Sequence, residues 1–212
     1  MEEPRPGRTV HTEVVLDVIC AHSYLGWTRF QRAAGRLRAV GVRVGVTVAP
    51  FELAPGAGTE GRPLLEVLRE VFGPEAAAGT AQFARHAAAD GLRLDYQRAV
   101  ATGTFKAHLL IALAARQDRA EAMVERLFRA HFTDGLHIGD DAVLAALAAE
   151  VGVVPGELDE RELRARLDAV RAAGVTGVPV FRIGGRVTLT GSQPEAVLYA
   201  ALKDAADAAS AV

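Results

Sequence analysis

The sequence predicts an α/β protein in which a βαβ unit and a distant ββα unit build one domain, interrupted by a large all-helical insertion. Three observations carry this. A β-branched apolar run, Val14-Val15-Leu16-Asp17-Val18-Ile19, leads straight into a helical stripe and a second strand. Helix-period stripes then fill the chain between Pro50 and Gly174. Strand signals return only around the turn Gly184-Gly185.

Each element follows from its own pattern. The run from Val14 to Ile19 is continuous enough for a buried strand, and Cys20 stands at its carboxyl end. Trp27, Phe30, Ala34 and Leu37 recur at helical spacing until Gly41, a stop signal, so a helix starts near Cys20. Val42, Val44, Val46 and Val48 alternate with Arg43, Gly45 and Thr47 and make the second strand. The helical block opens with Leu64, Leu65, Leu68, Val71 and Phe72, which stop at Gly73-Pro74. Later stripes are Phe105/Leu109/Leu113, Val124/Leu127/Phe128/Phe132, Leu144/Leu147/Val151 and Leu163/Leu167/Val170. Pro179-Val180-Phe181-Arg182-Ile183 and Arg186-Val187-Thr188-Leu189 flank the double glycine as a hairpin. Ser192 before Pro194-Glu195 caps a final helix. That order, βαβ then helices then ββα, is that of a split thioredoxin fold. The expected division is a flexible tail at 1–12, a thioredoxin-fold domain from 13–60 and 174–212, and a helical insertion at 61–173.

Composition narrows the function classes. Of 212 residues half are hydrophobic, and the net charge is only −2 with both signs mixed along the chain. No basic face is present to attract phosphate backbones or anionic lipid, so neither nucleic acid nor a membrane is an expected partner. The start Met1-Glu2-Glu3-Pro4-Arg5 does not resemble a secretory signal, and no uninterrupted apolar stretch is long enough to span a bilayer. The expectation is a soluble, cytoplasmic protein. No histidine spacing suits a metal; His131 and His137, around the turn Thr133-Asp134-Gly135, read as structural. The glycines lack the pattern of a phosphate-binding loop.

The single cysteine constrains the chemistry most. It excludes an internal disulfide, so Cys20 acts alone or with a partner molecule. A cysteine where a strand meets a helix amino terminus sits among unpaired N–H groups and the positive end of the helix dipole, both of which favour thiolate. His22, if cationic, lowers the thiol pKa further, and Ser23 has a hydroxyl to donate to the same sulfur. By position alone Cys20 reads equally well as a small buried packing residue.

The segment Asp17-Val18-Ile19-Cys20-Ala21-His22-Ser23-Tyr24-Leu25-Gly26 resembles the active-site segment of the FrnE-like branch of the DsbA superfamily. Pro50-Phe51-Glu52-Leu53, Thr104 to Leu110, Gly174 to Pro179 and Gly191-Ser192-Gln193-Pro194 match the same family's landmarks, nearly end to end. The resemblance implies a DsbA-like thioredoxin fold with Cys20 as the reactive group. It also departs: Ser23 stands at the second cysteine and Ala21 at the proline of Cys-Pro-Trp-Cys. A hydroxyl cannot resolve a mixed disulfide, which makes dithiol protein oxidation an unsuitable activity. Serine near this position is also similar to kappa-class glutathione transferases and 2-hydroxychromene-2-carboxylate isomerases.

From the resemblance, Val178-Pro179 is the cis-proline element facing the cysteine, leaving the Val178 backbone to pair with glutathione or mycothiol as an added strand. His108 sits on an apolar stripe, where a core role competes with a pocket role. Tyr24 reads as helix packing or as the pocket's edge. The expected catalytic residues are Cys20, His22 and Ser23, with Ala21, Tyr24, His108, Val178 and Pro179 binding substrate or thiol. The leading expectation is a small-molecule isomerase working by thiolate addition and elimination on a conjugated, polyketide-type substrate of secondary metabolism. No tightly bound cofactor is expected, only a low-molecular-mass thiol. The alternatives are a monothiol oxidoreductase or thiol-dependent transferase, and a catalytically silent binding protein. The sequence leaves the oligomeric state open, a homodimer among the options.

Overall fold

A computed structural model of the protein describes residues 8–157 and 159–209. β1 (Thr9–Leu16), β2 (Arg43–Pro50), β5 (Val180–Ile183) and β6 (Val187–Thr190) form one sheet in the order β2-β1-β5-β6. β1 and β2 run parallel, linked by α1 (Ala21–Arg38), while β5 lies antiparallel to both β1 and β6. β1 begins at Thr9, so residues 9–12 belong to the sheet and not to the expected tail, whose residues 1–7 lie outside the described residues. Thr9 to Leu16 pair with Arg43 to Pro50 across eight positions, and that register recruits the start of the strand.

The side-chain alternation of β1 sorts the core into two faces. Val14 and Leu16 join Trp27, Phe30 and Phe181, covered by α1 and by α8 (Glu195–Ala209) through Leu198 and Leu202. Each such fully buried large side chain contributes about 1.5–3 kcal/mol. Val15 points the other way, into a smaller cluster with Ala49, Phe51, Val180 and Val170. Val170 belongs to α7 (Glu160–Ala172), which packs on β2 and donates from Arg166 to the Val48 carbonyl at 2.8 Å. The last helix of the expected insertion is thus the second layer over the sheet.

Between β2 and α7 lie α2 (Leu64–Phe72), α3 (Ala76–Ala88), α4 (Phe105–Ala115), α5 (Ala120–Arg129), a π-helical turn at Ala130–Asp134 and α6 (Asp141–Val151). A two-residue ladder, β3 (Arg62–Pro63) with β4 (Val100–Ala101), ties the start of α2 to the segment before α4. The sequence pattern contained no sign of this ladder, which is too short to show periodicity. Gly184 and Gly185 both take positive φ, 58° and 68°, in the turn closed by Arg186 N–H to the Ile183 carbonyl at 3.2 Å. Among the described residues no helix is long and apolar enough to cross a membrane, and no cluster of three or more metal-ligating side chains occurs.

Candidate active site

Chain geometry at the end of β1 places the sulfur. After Leu16 the strand stops because the Asp17 side chain turns inward, where its Oδ2 accepts the Leu53 N–H at 2.8 Å. Cys20 N–H donates to the Asp17 carbonyl at 3.0 Å, closing a turn that delivers Cys20 in extended conformation as the N-cap of α1. The capping role usually filled by a side-chain oxygen falls to Sγ, which accepts the Ser23 N–H at 3.4 Å. On its other side Sγ–H donates to the Val178 carbonyl at 3.6 Å. The Val178-Pro179 bond is cis, as the resemblance implies. Gly26, one turn into α1, lets the helix approach this loop: a Cβ there would stand 2.9 Å from Pro179 Cγ.

The electrostatics at the sulfur differ from the expectation. Burial is the largest influence and pushes the Cys20 thiol above its ordinary range, with the Asp17 charge acting in the same direction. Hydrogen bonds from Ser23 and from the His22 backbone oppose this without overcoming it. The helix terminus therefore moderates the thiol without ionising it, because a residue only 8% exposed has lost most of the water that would solvate a thiolate. At His22 the surroundings disfavour the cationic form. Burial and the neighbouring His86 hold its pKa below the usual value, and its ring lies against Phe83 (4.3 Å between centroids) with Nδ1 3.4 Å from Ser192 Oγ.

Over the sulfur lies a cleft of about 650 Å³, floored by Ile19, Cys20, Ala21 and His22 and walled by α2 and α3. Leu64, Leu68 and Phe72 line one wall and Phe83 and His86 the other, with Tyr96 and Leu53 at the sides. Phe72 is 72% exposed at the rim. The sulfur is thus covered but faces an opening.

Of the residues expected at the site, Cys20, Ala21 and His22 line this cleft, and Val178 meets the sulfur from behind. Val178 and Pro179 line a second hollow of about 550 Å³, shared with Thr176, Arg182 and Thr190. Ser23, Tyr24 and His108 do not line the cleft. Ser23 is wholly buried; its hydroxyl makes no hydrogen bond of good geometry, yet lies close enough to Sγ to favour the thiolate. Tyr24 stacks on Phe128 at 4.9 Å and donates to Glu125 at 3.3 Å, inside the core. His108 is buried beneath the site, with Nε2 2.9 Å from the Phe51 carbonyl and 3.4 Å from Asp17 Oδ1.

Sequence reasoning missed Leu53, Thr80, Phe83, His86 and Tyr96 as cleft residues. Only α2 carried a usable signal: its stripe ends in Val71 and Phe72, apolar residues immediately before a helix stop. Asp17, the acid under the sulfur, was visible in the strand as the one charge interrupting an apolar run.

The comparisons with known proteins agree with this architecture. The model of the DSBA-like thioredoxin domain matches residues 12–203. Among solved structures, a probable DsbA oxidoreductase from Streptomyces coelicolor is similar at 31% identity and a TM-score of 0.75, covering 92% of this chain and 89% of that one. A 2-hydroxychromene-2-carboxylate isomerase shares the fold at 14% identity and a TM-score of 0.60, over 92% of this chain and 95% of that one. The cytosolic disulfide reductase DsbM of Pseudomonas aeruginosa, solved with GSH, shares it at 21% and 0.58, over 93% and 96%. A search of curated protein sequences found no match. With the cis-proline loop against a lone helix-capping cysteine and a family match over most of its length, the chain belongs to the DSBA-like thioredoxin domain family, as a variant with serine in place of the second cysteine.

Proposed function

We propose that the protein is a thiol enzyme that isomerises a conjugated double bond in a small molecule through Cys20. The observation that carries this reading is a single sulfur, without a second thiol to resolve a mixed disulfide, on the floor of an apolar cleft large enough for a drug-sized molecule. Sγ adds to the β-carbon of an enone, and the thiol's proton ends on the carbonyl oxygen. His22 lines the same cleft and is uncharged at neutral pH, so it is suited to carry that proton. The former double bond, now single, rotates. Elimination breaks the C–S bond, returns the proton to sulfur and restores conjugation in the other geometry. The Ser23 hydroxyl is buried and does not line the cleft, so it takes no part in holding the developing enolate.

The test is conversion of (Z)-benzylideneacetone to its E isomer, followed by absorbance without added thiol. Cys20→Ala is expected to lower the rate at least ~100-fold, and intact-mass spectrometry of the native protein is expected to catch a Cys20 adduct. An undiminished rate in Cys20→Ala would falsify the proposal. A second reading, monothiol exchange with a glutathione-like thiol, is favoured by the contact between Sγ and the Val178 carbonyl beside the second hollow. Turnover of mixed disulfides only in the presence of glutathione or mycothiol, with none on enones, would establish it instead.

A further inference from the structure

We infer that the cleft over Cys20 selects uncharged, flat, apolar molecules and rejects their carboxylate counterparts, an inference that rests on the enone reading and specifies its substrate class. Among the described residues, none of those lining the cleft is Lys, Arg, Asp or Glu. The ionisable side chains present are Cys20, His22, His86 and Tyr96. Burial disfavours the charged form of Cys20, His22 and Tyr96 alike.

Two arginines, Arg29 of α1 and Arg32 one turn on, are already committed. Arg29 pairs with Asp90 through two hydrogen bonds, 2.9 Å from Nε and 2.7 Å from Nη2, and donates Nη1 to the Ser192 carbonyl at 3.0 Å. Arg32 donates to the Asp90 carbonyl and stands 3.6 Å from its carboxylate. A carboxylate entering the cleft would leave its water for a lining without lysine or arginine, so no fixed cation of the walls offsets its desolvation. A ketone of the same shape loses far less.

Shape points to a planar ligand. Phe72, Phe83 and Tyr96 present aromatic surface to the space, and Phe83 is itself braced by the His22 ring. Flat conjugated systems gain from offset stacking on such faces. Leu68, half-buried on the α2 wall, is an apolar lining position where a cation can be introduced.

Benzylideneacetone and cinnamate test this, since they share one frame and differ in a methyl ketone against a carboxylate. Both are titrated at pH 7.5 against N-phenyl-1-naphthylamine fluorescence in Cys20→Ser, which removes the chemistry and leaves the walls. The ketone is expected to displace the probe at a concentration roughly 30-fold lower than cinnamate. Leu68→Arg is expected to narrow that gap at least ~10-fold by supplying the missing cation. Phe83→Ala, checked for folding by circular dichroism, is expected to weaken the probe ~10-fold. Equal displacement by the two ligands, a gap unmoved by Leu68→Arg, or no probe binding overturns the inference. Selective ketone binding without turnover in the native protein would sink the isomerase reading and leave the selectivity standing.

Discussion

Two helices carry the same apolar period and put it to opposite uses. In α1 the stripe Trp27, Phe30, Ala34, Leu37 is consumed by the sheet, and none of these residues is more than 2% exposed. In α2 the stripe Leu64, Leu68, Val71, Phe72 ends in open space, with Val71 65% and Phe72 72% exposed. Helical spacing says that one face prefers to leave water and is silent on what will cover it. An uncovered stripe beside the Cys20 cleft is the surface a ligand wall requires.

Truncation on the two sides breaks or sharpens that contrast. Phe181→Ala, in the core under α1 where Phe30 stacks at 5.6 Å, is expected to cost about 3–5 kcal/mol in a urea titration. Phe72→Ala is expected to stay within about 0.5 kcal/mol. A loss above 1 kcal/mol at Phe72 would mean that the α2 stripe closes on something in solution and is not a free wall.

The same contrast explains how much was readable beforehand. Strands and helices repeat locally, so the βαβ and ββα units, the helical block and the place of Cys20 at the α1 terminus were legible. The acidity of the thiol was not, because it depends on burial among groups from distant parts of the chain, such as the Val178 carbonyl and the helices that wall the cleft. The dipole of α1 is a local property and was anticipated; desolvation is a tertiary one and outweighs it. For the same reason His22, two residues from the sulfur, turned out to face Ser192 and Phe83, and Tyr24 was taken by the aromatic cluster of α5 and the π-turn. The identity of α7 as a sheet-covering layer rests on Val170 meeting Val15 and Phe51, a pairing no stripe can announce.

Beneath the site, His131 offers the second largest effect. It is fully buried, neither ring nitrogen has a hydrogen-bond partner, and burial lowers its pKa to about 4 against a small opposing pull from Asp17. An unfolded chain takes up that proton near pH 6.5, while the folded protein does so only near pH 4. Stability from this group is therefore intact above pH 6.5 and is lost progressively as pH falls towards 4. The total is about 3 kcal/mol. His131→Leu is expected to flatten that part of the profile of stability against pH. An unchanged acid limb would place the proton uptake elsewhere. His22, on the open side, shifts in the same direction and adds to the same acid limb, so His131→Leu removes only part of it.

Gly26 joins the two regions, because it lies on the buried face of α1 and fixes how closely the sulfur's helix meets the Val178-Pro179 loop. In Gly26→Ala the added Cβ would stand 2.9 Å from Pro179 Cγ and 3.2 Å from Phe181 Cζ, so helix and loop must part by a few tenths of an ångström. The expected cost is about 1–3 kcal/mol. The more telling readout is the sulfur. Separation lengthens the contact from Sγ to the Val178 carbonyl and admits water, which relieves the desolvation that holds the thiol above its ordinary range. Iodoacetamide should then alkylate Cys20 severalfold faster at pH 8 than in the native protein. A variant that is destabilised but alkylates at the native rate would show that the wall of hydrocarbon on the cleft side, and not the proline loop, keeps the thiol protonated.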